Sequence, residues 1–264
     1  MTNTAPLIPE QRRDVIVEHL RRERVLSYHQ LADLLDVSHM TVRRDVAALE
    51  AQGRVTGTPG GAKTVSRLVS EPSRAEKEAV EVEEKRAIAR RAAGLVRDDM
   101  TVYLDAGTTV QAMRPDLQHV AGLTVVTNDL ATVRAFLDHP TADIICIGGR
   151  VEKSNSSTMG RLTRMALEEL SLDIAFISSS SWDLGHGVTT PTEAKIDAKR
   201  AAVAVSEVSV LVADSSKYGR FGKHRVLRLD ELDSVITDDA LPDADADALR
   251  EAGMDVVRAT RADS

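Results

Sequence analysis

Cysteine occurs once in the 264 residues, at Cys146. No disulfide can form within one chain, which suits a reducing compartment. In the apolar run Asp143-Ile-Ile-Cys-Ile147, Cys146 reads as a small buried hydrophobe. No run approaches the roughly 18 apolar residues of a membrane span, so no membrane partner is expected. Met1 to Glu10 lack a basic segment followed by an apolar core. No signal peptide is expected, and the cytoplasm is the expected location. The seven histidines are scattered, with no His-Glu-x-x-His and no paired-cysteine spacing, which argues against a metal site. No Gly-x-Ser-x-Gly elbow is present. No catalytic residue and no cofactor are assigned. Internal repeats and low-complexity segments are also missing.

What is present is a composition for packed cores: 42 % hydrophobic and 28 % charged, not the balance of a disordered chain. The length suits one large domain or two ordinary ones. The net charge of −7 argues against a nucleic-acid binder until the chain is split. Residues 1–63 carry nine basic and eight acidic side chains, a net of +1, and the rest carries −8. A DNA-binding surface depends on where charge lies, not on its total.

Three helix patterns open the chain. Glu10–Arg22 places Val15, Ile16, Val17 and Leu20 on one broad face. Ser27-Tyr-His-Gln30 has capping-box spacing, and Leu31, Leu34 and Leu35 follow at helical intervals. After the turn Asp36-Val37, Ser38 is a second good N-cap. The third helix should bury Met40, Val42, Val46 and Leu49, with Gly53 as its C-terminal stop. Arg54-Val-Thr-Gly-Thr-Pro-Gly-Gly-Ala62 alternates β-formers around glycine and proline, as a hairpin does. Residues 63–80 are polar, contain Pro72 and read as a linker. The expected domains are therefore 1–62 and 81–264. An amphipathic helix follows from about Glu81 to Val96.

Helix, tight turn, helix and hairpin make the plan of a winged helix-turn-helix, whose second motif helix fits the major groove. The buried positions leave Ser38, His39, Thr41, Arg43 and Arg44 facing outward. His39 and Thr41 sit where base edges are read, and either arginine can make paired hydrogen bonds to guanine or phosphate. Arg54 and Lys63 flank the hairpin within reach of phosphates. An ordinary helical bundle with solvated arginines shares the same periodicity. The residues themselves tip the balance. Ser38-His-Met-Thr-Val-Arg-Arg-Asp-Val46, with Pro59-Gly-Gly-Ala62 downstream, closely resembles the N-terminal signature of DeoR-type regulators. That resemblance implies that Arg43 and Arg44 face operator DNA and that Asp45 is structural.

Beyond residue 100, short apolar runs alternate with helical segments. Candidate strands are Thr101–Asp105, Leu123–Thr127, Asp143–Ile147, Asp173–Ser178, Ser209–Asp214 and Ser234–Thr237. Leu162–Leu170 and Lys195–Val205 are helices between them, and the stretch near Pro242–Ala248 is a loop leading to a last helix. Such alternation implies an α/β domain, a mostly parallel sheet with helices on both faces. Thr101-Val-Tyr-Leu-Asp105 runs directly into Ala106-Gly-Thr-Thr109. Gly107 would free the backbone to turn so that N–H groups converge, with Thr108 and Thr109 adding hydroxyls, a phosphate cradle without a Walker lysine. Gly-Thr-Thr is also a common plain turn. Three further strand ends carry matching chemistry: Asn128 and Asp129, Gly148 and Gly149, and Asp214-Ser-Ser-Lys217. Ligands of open α/β sheets bind at such ends.

This half resembles the DeoR-type sensor domain through Asp105-Ala-Gly-Thr-Thr109, Val126-Thr-Asn128, Gly148-Gly149, Lys199-Arg-Ala201 and Asp214-Ser-Ser-Lys217. The resemblance covers about residues 10 to 240. It implies a fold related to ribose-5-phosphate isomerase and a phosphorylated-sugar effector. By it, Asp105, Gly107, Thr108, Thr109, Asn128, Lys199 and Lys217 are candidate ligand contacts, joined by Gly148, Gly149 and Lys195. Ile177-Ser-Ser-Ser-Ser-Trp-Asp183 is serine-rich where relatives more often carry glycine and alanine, and Glu193-Ala-Lys195 also departs from the usual pattern. Trp182 either stacks on a ligand or fills a gap. A sugar-phosphate isomerase is the alternative, because Asp105, Asp129, Glu193 and Asp214 could each supply the base it needs. The attached DNA module favours a sensor, since a regulator gains nothing by consuming its signal. The reading is a transcription regulator, a repressor of sugar-metabolism genes released from double-stranded operator DNA by a sugar phosphate. One winged module contacts few base pairs, so a homodimer or homotetramer is expected.

Overall fold

The computed structural model describes residues 7–23, 25–52, 54–64 and 66–261. Gly53, expected to stop the third helix, lies outside the described residues. The chain divides into two compact units between Ser66 and Arg67.

In the first unit, α1 (Pro9–Glu23), α2 (Tyr28–Leu35) and α3 (His39–Ala51) enclose Ile16, Leu20, Leu31, Val42, Val46 and Leu49. The capping box forms as expected. Ser27 Oγ accepts from Gln30 N at 3.1 Å, and Gln30 Oε1 accepts from Ser27 N at 2.9 Å. Asp36, at φ 51°, ends α2 in the left-handed region. Ser38 then caps α3 by accepting from Thr41 N at 3.2 Å. Met40 is 59 % exposed, against expectation. It lies two residues before Val42, about 200° round the helix from the buried stripe. Leu34 is likewise exposed on α2. The hairpin is β2 (Val55–Thr58) with β3 (Gly61–Thr64). A strand not read from sequence, β1 (Val25–Ser27), pairs antiparallel with β3 and completes a three-stranded wing. Gly61 is needed there because a Cβ would lie 2.3 Å from the Leu26 carbonyl oxygen.

The second unit is built on seven parallel strands: β4 (Thr101–Leu104), β5 (Thr124–Thr127), β6 (Asp143–Cys146), β7 (Leu172–Ser178), β8 (Ser206–Val212), β9 (Ser234–Asp238) and β10 (Asp255–Ala259). Their spatial order is β10-β9-β8-β7-β4-β5-β6, every pair parallel. Period-two alternation feeds two cores. Ile174 and Phe176 of β7 join Val102, Leu104 and Val125 on one face. Ala175 and Ile177 join Tyr103, Val126 and Leu211 on the other. The first face is covered by α5 (Val82–Ala93), through Ala87, Ile88 and Ala92. The second is covered by α8 (Arg161–Glu168), α9 (Lys195–Ala204) and α10 (Asp243–Glu251). The first face is also covered by α6 (Thr108–Gln111), through Val110, and α7 (Leu130–Phe136), through Phe136.

Three expectations need correction. Cys146 is exposed, because β6 is the edge of the sheet. The stretch near Pro242–Ala248 is not a loop before the last helix but opens that helix, α10, and β10 follows it in the sheet. Residues 67–80 are not a linker but part of the second unit. They include α4 (Arg74–Glu78), whose buried Arg74 donates to both oxygens of Asp129 at 3.0 and 3.1 Å. Glu71, Arg74 and Lys77 of that stretch serve ion pairs rather than solvent. Trp182 is wholly buried, edge-on to Tyr218 at 4.8 Å between ring centres, and fills a gap in the core.

Candidate functional site

The outer surface of α3 carries the residues singled out in the first unit. His39, Arg43 and Arg44 are exposed. The Arg43 guanidinium stands 5.4 Å from the centre of the Tyr28 ring, a cation–π contact that limits its wandering. Ser38 and Thr41 are joined through their hydroxyls at 2.9 Å, so part of their hydrogen-bonding capacity is already used. Asp45 faces inward, buried, and is bound by Arg12 at 2.8 Å and Arg13 at 3.3 Å. It clamps α1 to α3 and leaves the neighbouring arginines of α3 to the surface. Arg54 pairs with Asp14 at 2.7 Å. Lys63 lies on β3 of the wing, opposite Thr56 and Val25.

In the second unit a pocket opens at the carboxyl ends of β4, β5, β7 and β8. After β4 it is lined by Asp105, Gly107, Thr108 and Thr109, after β5 by Asn128, and after β7 by Ser178, Ser179 and Ser180. Asp214 and Lys217 line it after β8, and Lys195 and Lys199 from α9. Gly148 and Gly149 do not reach it. They follow the edge strand β6 instead, where Gly148 O accepts from Thr163 Oγ1 at 3.0 Å. Gly107 is required for space rather than for turning. Its φ of 178° is plain extended backbone, but a Cβ would lie 2.6 Å from that of Ser178.

Buried polar groups need partners, and the pocket floor supplies them. Asp105 Oδ2 accepts from Ser178 N and Oγ, both at 2.8 Å, and from Lys199. Lys199 also donates to Ser178 O at 2.7 Å. Asn128 accepts from Tyr103 Oη at 2.8 Å and donates to Thr158 O at 2.8 Å. Burial, with Asp105 close by, pushes the Tyr103 phenol far up, so it remains a donor. Asp129 turns away into the structural contact with Arg74. Burial raises its pKa against the opposing pull of that arginine.

Three charged lining residues were not expected from the sequence: Glu71 and Lys77 from the segment before α5, and Lys85 within it, and uncharged Ser157, Thr158, Thr189 and Thr190 join them. Lys85 was readable, as a lysine on the apolar face of a helix, three residues before Ile88. Glu71 and Lys77 gave no such signal. Lys77 Nζ binds Glu71 at 2.8 Å. Among the described residues Lys85 Nζ has no carboxylate partner, and it binds the carbonyls of Lys77 and Val80. Burial lowers the pKa of both lysines. Five lysines and three carboxylates (Glu71, Asp105, Asp214) line the pocket. With charged side chains that is an excess of two positive charges, a setting made for an anion.

Comparison with known proteins accounts for both units. Residues 12–67 match the DeoR-like helix-turn-helix domain, and residues 80–239 match the DeoR C terminal sensor domain. The HTH-type transcriptional regulator YgbI of Escherichia coli K12 is 42 % identical over 92 % of this chain and 95 % of its own length. The lactose phosphotransferase system repressor of Staphylococcus epidermidis is 32 % identical over 86 % of this chain and 91 % of its own. A putative aga operon transcriptional repressor of Escherichia coli O157:H7 is 29 % identical over 94 % and 93 %. Among solved structures, ribose 5-phosphate isomerase A of Methanocaldococcus jannaschii gives a TM-score of 0.38 at 15 % identity, covering 52 % of this chain and 54 % of that one. A likeness of that size carries no argument about activity. No helix among the described residues is long and apolar enough to cross a membrane. The chain is a DNA-binding transcription regulator and not an enzyme. With both family domains matched in order along its length, it belongs to the DeoR family of transcriptional regulators.

Proposed function

We propose that this protein represses genes of sugar metabolism in the cytoplasm and leaves its operator when a phosphorylated sugar fills the pocket of the second unit. The observation that carries the reading is the excess of lysine in the pocket at the strand ends. Two relatives named as repressors of an aga operon and of a lactose phosphotransferase system support the sugar.

In this reading α3 enters the major groove. His39, Arg43 and Arg44 meet base edges or phosphates, and Ser38 and Thr41 sit at the helix start beside the backbone. Lys63 and Arg54 hold flanking phosphates. Arg54 must leave Asp14, an exposed pair that costs little to break. A homodimer or homotetramer supplies the second half-site that one module lacks.

In the pocket the phosphate takes hydrogen bonds from Thr108 and Thr109 and countercharge from Lys217. The nearest carboxylate to Lys217, Asp214, is 3.7 Å away, so it is loosely held. Lys199 is committed to Asp105 and serves the site by fixing that carboxylate. Asp105 and Asn128 face the sugar hydroxyls, since a carboxylate repels phosphate. Lys195 closes the pocket from α9. A thermal-shift screen of phosphorylated sugars beside their parent sugars tests this, because a ligand that binds only the folded state raises apparent stability with occupancy. Stabilisation by a phosphorylated sugar and none by its parent is the expected result. Equal responses remove phosphate from the reading.

A further inference from the structure

We infer that Glu71 is a tethered competitor for the ligand: its carboxylate occupies pocket cations while the site is empty, and an incoming phosphate displaces it and releases the chain segment that carries it. The inference rests on the reading of the pocket as a phosphate site.

Glu71 lies in irregular chain between Leu68 and α4, yet its side chain is only 8 % exposed. Side-chain bonds hold it there, and all come from pocket residues. Lys77 donates at 2.8 Å, Ser180 Oγ donates to the same oxygen, and Lys195 stands 3.7 Å from it. Two ammonium groups and a hydroxyl are the donors a phosphate would recruit. Burial works against the Glu71 charge, but Lys195, Lys77 and the hydrogen bonds from Lys77 and Ser180 outweigh it and hold its pKa below the ordinary value. Lys195 is also shared with Glu152 at 3.2 Å, so it has a second partner to keep when Glu71 goes. The lysines act as one field: Lys77 responds to Lys195 and Lys199, and Lys85 to Lys217 and Lys77. An anion anywhere among them competes with Glu71.

The next anchor limits what is released. Arg74 is fixed independently, through Asp129 and through its own N–H, which donates to Ser154 O at 2.9 Å. The Ser73 capping box of α4 also stays in place, so displacement frees the stretch from Val69 to Pro72. That stretch begins three residues beyond the Ser66–Arg67 division and is the covalent path from the pocket to the DNA-binding unit. A ligand shifts an equilibrium only through different affinities for two states. Glu71 in place and Glu71 displaced are two such states.

The test uses full-length protein and inorganic phosphate as the probe. Calorimetry gives its affinity for wild type, Glu71→Gln and Lys217→Ala. A spin label at Val69→Cys, in a Cys146→Ser background, reports the segment; Val69 is 83 % exposed and tolerates a label. If Glu71 holds the seat about nine-tenths of the time, its removal tightens phosphate about tenfold. The label in wild type should gain mobility as phosphate is added, and in Glu71→Gln it should be mobile from the start. Unchanged or weaker phosphate affinity in Glu71→Gln, with Lys217→Ala still weakening it, overturns the competitor and leaves the pocket reading intact. Tighter phosphate with a label that never moves overturns displacement. If phosphate binds none of these proteins, or binds regardless of Lys217, the phosphate reading fails and the inference falls with it.

Discussion

Of the cations proposed to meet the ligand in the first unit, Arg43 and Arg44 stand exposed, Lys63 is half-buried, and Arg54 is held in an exposed pair with Asp14. Arg43, Arg44 and Lys63 form no ion pair among the described residues, and the one buried carboxylate, Asp45, is held by arginines from another helix. In the second unit the cations proposed to meet the ligand are all enclosed, and each is already engaged by a carboxylate, a carbonyl or a hydroxyl. The difference follows from the ligands. A duplex presents an extended polyanion, and exposed lysine and arginine gain affinity by releasing its counterions at little cost to the fold. A small anion must be recognised out of water, where an unpaired ammonium is expensive. On the proposed reading the pocket keeps its lysines engaged by protein groups, and the ligand replaces one of those groups, Glu71. The first surface is disposable to stability, and the second is built into it.

That contrast gives its largest effect at Asp105. Asp105→Ala leaves Lys199 buried beside a carbonyl with no counterion, and should cost about 3–5 kcal/mol of stability, read as a lower urea midpoint. A variant as stable as wild type would break the contrast at its strongest point. Asp45→Ala should cost less, about 1.5–3 kcal/mol, the worth of hydrogen bonds to a charged group, because Arg12 and Arg13 are partly exposed and can turn to water. Lys217→Ala should leave the urea midpoint nearly unchanged, since Asp214 keeps Ser216 Oγ as a partner. It should weaken a sugar phosphate by about 1.5–3 kcal/mol, measured by calorimetry. Arg43→Ala and Arg44→Ala should leave stability untouched. Each should weaken operator binding by about 1–3 kcal/mol with relaxed specificity if it meets a base, or weaken all sequences alike with a salt slope about one unit shallower if it meets a phosphate. Operator binding unchanged in both would remove α3 from the groove.

The smallest effect is a pH profile. Glu71 has a folded pKa below its ordinary 4.5, so its stabilisation is present above the unfolded value and is lost as pH falls through the folded one. The stability gap between wild type and Glu71→Gln should be open at neutral pH and should close below pH 4.5. A gap independent of pH would mean that the carboxylate is not held by charge.

Local chemistry made much of this legible. The Ser27–Gln30 box, the Ser38 cap, the Pro59-Gly60 hairpin and the sequential strand–helix units announce themselves within a few residues, and each stands where expected. Long-range context hid the rest. Cys146 and its apolar neighbours read as core, but only the strand order makes β6 an edge. Val25–Ser27 is too short to signal a strand until β3 lies beside it. Residues 67–80 look like linker because pairing with a polar pocket and pairing with water select the same residue types. Asp105, Thr108, Thr109, Asn128, Lys195, Lys199 and Lys217 meet at one pocket, whereas Gly148 and Gly149 carry similar strand-end chemistry on a strand too far across the sheet. Which lysines are free to receive a ligand could not be read at all, since Lys199 and Lys217 differ only in the carboxylates that surround them.

The measurement that bears most directly on the account is a DNA-binding titration with and without phosphorylated sugar, on wild type and Lys217→Ala. The DNA would be fragments that the protein itself selects from random sequence. Both proteins should bind the selected DNA equally without ligand. The sugar phosphate then releases wild type with a coupling of about 1–3 kcal/mol, and Lys217→Ala stays bound. Equal release of both proteins, or release of wild type by the unphosphorylated sugar at the same concentration, would contradict it.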